Sequence, residues 1–175
     1  MSRIHITTPR LILRDLQESD CPGMHAMGTD PAVCAALGIS CALDSTETLG
    51  HIRSVQAQYK SNGFGRYAML DRESGSFLGW AGLKIENNVN GRASFIDLGY
   101  RMLPQYWGRG YATEASRALV SYGFDVLGVD TICAYVESSN PSSRRVAEKA
   151  GLRVTGTFDG ERMKEWWLEL KKKDY

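Results

Sequence analysis

The sequence predicts a mixed α/β domain: one twisted, mostly antiparallel sheet of about seven strands, flanked by about four helices, with a parallel strand pair where the chain crosses over. Three observations predict it. The early part of the chain carries helical patterning, and the period changes to short β-rich runs from Arg66. Turn sequences at Glu73-Ser74-Gly75 and Asn87-Asn88-Val89-Asn90-Gly91 separate those runs as in an antiparallel meander. After Thr113 helical and strand-like segments alternate, which calls for a crossover connection.

Taken in order, Arg10 to Arg14 sets apolar residues between basic ones and reads as a first strand. Asp15 to Thr29 carries Leu16, Met24 and Met27 with acidic residues early, and predicts a helix ending near Gly28. A second helix is expected from the Asp44/Ser45 cap to Lys60, stopping before Asn62-Gly63. Arg66 to Asp71, Phe77 to Ile85 and Ala93 to Leu103 are the meander strands, and Pro104 breaks the third. A loop over Gln105 to Ala112 leads to a helix from Thr113 to Leu127, with Ala115, Leu119, Tyr122 and Val126 on one face. Thr131 to Val136 reads as a strand, and Pro141 to Lys149 as a helix capped by Asn140 and closed by Gly151. Arg153 to Phe158 and Lys164 to Leu170 finish the sheet around Asp159-Gly160.

Composition bounds the function. The 175 residues suit one domain, 1–175, with 43% hydrophobic and 23% charged side chains. Twenty-one basic residues balance twenty acidic ones, so no nucleic-acid or anionic-membrane partner is expected. No apolar run approaches a bilayer span, and the N-terminus lacks the apolar core of a signal peptide, which places the chain in the cytoplasm. Cys21, Cys34, Cys41 and Cys133 lack C-x-x-C spacing, and the three histidines are scattered. Reduced thiols are expected, with no metal site and no disulfide framework.

The segment from Leu103 to Ala112 is the most informative. Gly108 and Gly110 remove side chains where a ligand must approach the backbone. The first turn of the next helix offers unpaired N–H groups and a positive dipole end, while Arg109 adds charge at the rim. Gly110-Tyr111-Ala112 is not the Gly-Lys-Ser/Thr end of a Walker A loop. A dinucleotide fingerprint needs a small residue where Thr113 stands and an early βαβ position, and neither holds. On spacing alone the loop is equally compatible with a turn that binds nothing.

The stretch from Trp107 to Ala115, Trp-Gly-Arg-Gly-Tyr-Ala-Thr-Glu-Ala, resembles the acyl-CoA pyrophosphate loop of the GNAT acetyltransferases, in their RimJ/RimL-type branch. Thr8 to Arg14 is similar to that branch's opening strand, Gly79 to Leu83 to its third and Ile96 to Tyr100 to its fourth. Asn140 to Leu152 resembles the fourth-helix signature. The likeness implies acetyl-CoA as cofactor and an acetyl group passed directly to a primary amine. It also implies a fourth strand that splays from the fifth to form the CoA cleft. Backbone groups of Met102 and Leu103 would then pair with the pantetheine arm. The N–H groups of Gly108, Arg109, Gly110, Tyr111, Ala112 and Thr113 would hold the pyrophosphate, and Asn140 and Ser143 would sit near the pantetheine and the thiol. Members of the branch often dimerise.

An amine attacks a thioester as the free base, so a carboxylate acting through water suffices as general base. Asp97 is the first candidate, a strand carboxylate whose plain alternative is a hydrogen-bonded structural residue. Glu86, Glu137, Glu161 and Glu165 are further ones. A strand N–H near Met102 would stabilise the oxyanion. Where many superfamily members place a tyrosine acid, Ala147 stands, and Ser143 is the substitute, with helix packing as its other reading. Cys133 reads as a small buried hydrophobe rather than a nucleophile. Trp166 and Trp167 are assigned to core or interface. The acceptor is expected to be a protein N-terminal α-amine, as for ribosomal-protein-alanine acetyltransferases. The alternatives are a small amine or antibiotic, and, in another class, a non-catalytic acyl-CoA-binding module.

Overall fold

A computed structural model describes residues 3–37, 41 and 44–175. The chain divides into two compact units, Met1–Gly82 with Tyr100–Ala112, and Leu83–Gly99 with Thr113–Tyr175.

The first unit holds β1 (Ile4–Thr7), β2 (Leu11–Arg14), α1 (Cys21–Thr29), α2 (Pro31–Leu37), α3 (Ser45–Asn62) and β3 (Arg66–Asp71). It also takes the first part of β4 (Phe77–Val89), the end of β5 (Arg92–Met102) and the first two residues of α4 (Tyr111–Ser121). β2 pairs antiparallel with β1 and β3, and β3 with β4, from Arg66 opposite Gly82 to Leu70 opposite Phe77. Leu16, Ile52 and Ala68 form a buried cluster, covered by Cys21, Met24, Val55, Tyr59 and Phe77. That packing explains why Leu16 and Met24 carry a helical pattern. The pattern nevertheless starts too early, because Asp15 N–H bonds to the Arg3 carbonyl at 2.9 Å and keeps the chain extended. A 3-10 turn at Glu18–Asp20 intervenes, its buried Asp20 gripped by both terminal nitrogens of Arg14 at 2.6 and 2.7 Å.

α3 begins and ends as its sequence predicts. Asp44 accepts from the Glu47 N–H at 2.8 Å while the Glu47 carboxylate takes the Asp44 N–H at 2.8 Å, and Gly63 closes the helix at φ 79°. β4 packs backbone against backbone. A Cβ on Gly82 would lie 2.3 Å from the Gly65 carbonyl oxygen, and one on Gly79 2.0 Å from that of Arg101.

The second unit contains the rest of β4 and β5, most of α4, a π-helical turn (Tyr122–Val126), β6 (Thr131–Glu137), α5 (Pro141–Lys149), β7 (Arg153–Asp159) and β8 (Lys164–Lys171). β4 turns into β5 through Asn90 and Gly91 at φ 52° and 67°, the two positive values a tight hairpin turn requires. β5 and β6 are the parallel pair, with Asp97 opposite Cys133. β8 lies antiparallel between β6 and β7. Phe95, Cys133 and Trp167 are the core here, packed by Val89, Tyr135 and Phe158, with Phe95 edge-on to Trp167 at 4.8 Å. α4 gives way to the π turn before Leu127, where a Cβ on Gly123 would meet the Ile132 and Leu83 side chains at 2.8 Å.

The ladders follow the order β1-β2-β3-β4-β5-β6-β8-β7, giving eight strands among the described residues and five α-helices. The mixed, mostly antiparallel fold class is therefore as predicted. The extra strand is β1, and the extra helix α2, whose start is an Asp30 carboxylate taking the Ala32 N–H at 2.8 Å with Pro31 at the first position. One expectation fails. Cys34 and Cys41 form a disulfide across a Cα–Cα distance of 5.8 Å, where reduced thiols were expected. α2 carries Cys34 to within reach of Cys41, a proximity that C-x-x-C spacing does not report. Cys21 and Cys133 are free. No helix among the described residues is long and apolar enough to cross a membrane.

Candidate active site

In the first unit, β5 ends at Met102 and Leu103 starts the loop. The Leu103 N–H donates to the Leu78 carbonyl at 3.0 Å, and its own carbonyl receives the Tyr106 N–H at 3.1 Å. Strand alternation therefore directs the N–H and C=O of Met102 to the side of β5 away from β4. The Trp107 indole N–H takes that Met102 carbonyl at 2.9 Å. Of the two backbone positions expected to meet a pantetheine arm, Met102 is the one aimed outward, and Leu103 is committed within the chain.

After a 3-10 turn at Pro104–Tyr106 the loop passes through Gly108 at φ 72° and Gly110 at φ 81°, then enters α4 at Tyr111. Both glycines hold left-handed backbone that an L-residue adopts only under strain. A Cβ on Gly108 would meet nothing within 4 Å, so that glycine serves the turn and an open approach. α4 begins at Tyr111, so the N–H groups of Tyr111, Ala112 and Thr113 come before its first intrahelical hydrogen bond.

One residue outside the expected set holds this loop. Arg10, at the entry to β2, donates to the Arg109 carbonyl at 3.0 Å, and its guanidinium carbon lies 4.5 Å from the Tyr111 ring centroid. Arg109 in turn stands 5.9 Å from the Tyr106 centroid, and Tyr106 meets Tyr111 edge-on at 6.5 Å. Two arginines thus bring positive charge to a helix N-terminus and a glycine turn. Such an arrangement attracts an anionic group.

In the second unit, Asp97 is buried on β5 at 5% exposure, opposite Cys133. Thr113 is half-buried on α4. Asn140 caps α5 by accepting the Ser143 N–H at 3.0 Å, so its side-chain oxygen already serves the helix. Ser143 is half-buried in the first turn of α5, and Ala147 is buried. Burial pushes the Cys133 thiol up to about 12, helped by the Glu169 charge, so it stays protonated at neutral pH and is no nucleophile. Of the other carboxylates, Glu165 is shifted upward by burial and then by Glu137, its cross-strand partner. Glu137 pairs with Arg162, and Glu86 with Lys84 at 2.7 Å. Trp167 is core, while Trp166 lies 4.7 Å from the Arg144 guanidinium carbon. Among the described residues no group of three or more His, Cys, Asp or Glu is placed to hold a metal ion.

Residues 10–153 match the acetyltransferase (GNAT) domain model, and the chain belongs to that family. It is 28% identical to the uncharacterized N-acetyltransferase YoaA of Bacillus subtilis over 153 residues, 87% of this chain and 85% of the relative. Over 82 residues, 47% of this chain and 40% of the relative, it is 32% identical to the spermidine N(1)-acetyltransferase of Escherichia coli. A putative GNAT-family acetyltransferase from Bordetella pertussis superposes with a TM-score of 0.81 at 24% identity, covering 95% of this chain and 99% of that one. The ribosomal L7/L12 α-N-protein acetyltransferase RimL in complex with coenzyme A superposes at 0.78 with 14% identity, covering 97% and 98%. The protein is thus an acyltransferase that uses acetyl-CoA.

Proposed function

We propose that the chain moves the acetyl group of acetyl-CoA to the α-amine of a protein or peptide N-terminus. The observation that carries the cofactor's place is the Gly108–Gly110 turn running into α4 under the Arg10 clamp. Backbone N–H groups from Gly108 through Thr113 hold the pyrophosphate on this reading, with Arg109 at the rim. The cofactor supplies an activated acetyl thioester. Met102 directs its N–H toward the thioester carbonyl, where developing negative charge needs a donor. Leu103, its N–H and carbonyl already bonded within the chain, flanks that arm, and Asn140 and Ser143 are assigned to the pantetheine and the thiol. Asp97 draws the proton from the incoming amine through water, and the Ser143 hydroxyl passes a proton from solvent water to the leaving thiolate, regaining its own in the same relay. Residues 1–175 act as a single N-acetyltransferase domain, supported by a family match that runs through both units. We place it in the cytoplasm as a homodimer of the RimJ/RimL type.

The spermidine acetyltransferase among the relatives favours a second reading, a small polyamine acceptor. Calorimetry with acetyl-CoA is the first test, comparing wild type with Gly110→Trp. Binding by wild type and its loss in the variant are expected, because an indole at φ 81° both strains the turn and fills the cradle. Asp97→Asn should lower kcat by about a hundredfold with cofactor affinity retained. Binding without turnover on any amine would leave an acyl-CoA-binding module instead.

A further inference from the structure

Trp80 on β4 lies between two arginines that the transfer as described does not use. Arg66 opens β3 and faces Gly82 across the ladder, while Ala68 faces Trp80. Arg66 and Trp80 are therefore diagonal neighbours on one face of the sheet. The Arg66 guanidinium carbon is 5.3 Å from the Trp80 ring centroid, and that of Arg101 is 5.6 Å away. Arg66 donates to the Gly82 carbonyl, which fixes its fork. Arg101 is different: its Nε is buried and has no hydrogen-bond acceptor. Burial and then the Arg66 charge lower its pKa from the ordinary guanidinium value. All three side chains are half-buried, so the cluster keeps a side open to solvent.

Two cations drawn to one indole repel each other, and the ring face supplies no in-plane oxygen for the Arg101 fork. A carboxylate answers both needs, since a planar guanidinium bonds it through two parallel N–H groups. Position matters as well. Arg101 immediately precedes Met102, and successive strand residues rise about 3.3 Å. Arg101 is thus one strand residue from the backbone group assigned to the thioester, at the same end of β5.

We infer that Arg66, Trp80 and Arg101 form an acceptor subsite for a carboxylate, so that the amine acetylated by this protein carries an acidic group close to it. This rests on the acetyltransferase reading and narrows its substrate class to anionic acceptors, against cationic polyamines. The carboxylate comes either from an acidic residue near a peptide N-terminus or from the acceptor's own α-carboxylate.

The test compares kcat/KM on matched acceptors: a tetrapeptide with aspartate or asparagine second, a free amino acid or its amide, and spermidine. The acidic member of a pair should be preferred by about tenfold, through KM. Whichever pair shows the larger ratio identifies the source of the carboxylate. Arg101→Met should bring the ratio close to one, Arg101→Lys should keep part of it, and Arg101→Glu should turn the preference toward spermidine. Should Arg101→Met fail to fold by circular dichroism, Arg66→Met and Trp80→Phe read the same ratio. Equal rates on both members, or an unchanged ratio in the variants, overturn the subsite while acetyl transfer stands. Cofactor binding with no turnover on any acceptor removes the transfer reading and the subsite with it.

Discussion

At the scale of single residues, Glu165 shows how a sheet can press a charge. Burial first, and then the charge of Glu137 facing it across β6 and β8, makes its carboxyl hold its proton more tightly than in the unfolded chain. The linkage has a definite sign. Stability from this group is full below the unfolded value near 4.5 and is lost as pH rises through the higher folded value. Glu165→Gln should therefore melt about 1–2 °C higher than wild type at pH 7. Thermal scans from pH 7 down to pH 4 should show that gain shrinking, and a constant gain would mean the glutamine acts by packing alone. Residues of this kind are poorly legible in a sequence, because their chemistry depends on cross-strand partners. Arg10 is the sharper case: it clamps the Arg109 carbonyl from 99 positions away, and no local pattern announces it. Gly108 and Gly110 are legible because the demand they meet, positive φ beside a helix start, is local.

The elements divide in the same way. α3 has a local start signal and a local stop, and the structure keeps both to within two residues. Its capping box predicts a measurable debt when broken. Asp44→Ala should lower stability by about 1 kcal/mol, and the midpoint of thermal unfolding by about 2–4 °C. A shift below half a degree would mean the first turn of α3 is held by packing and not by its cap. β1 is four residues long and gains its definition from pairing with β2, Thr7 opposite Ile12, and from the Thr8–Leu11 turn that joins them. The helix expected from Asp15 starts six residues later because Asp15 and Asp20 give their groups to Arg3 and Arg14 instead. The helix expected to reach Leu127 ends as a π turn around Gly123, where Ile132 and Leu83 press against the backbone. Each misplacement records a tertiary contact overriding a local period.

At the scale of the whole molecule, the order of helices, meander and crossover is enough to give the fold class, since few topologies satisfy that order. The division into two units and the Cys34–Cys41 bond are not carried by any period or motif. A ligand that binds only the folded chain must stabilise all of it. Acetyl-CoA at a hundred times its Kd should add about 2.7 kcal/mol and raise the melting midpoint by about 5–10 °C. Scanning fluorimetry against a cofactor series checks this, and a flat series would count against the cradle at Gly108–Thr113. The boundaries of the two units fall at Gly82–Leu83, Gly99–Tyr100 and Ala112–Thr113, so the backbone passes from one to the other three times. No single scission can release either unit whole. A split reporter cut at Gly82 would leave Tyr100–Ala112, with the glycine turn, on the wrong fragment. Such a pair would regain the Arg10 bond to the Arg109 carbonyl only by reassembly, so any signal that depends on the glycine turn would require both halves.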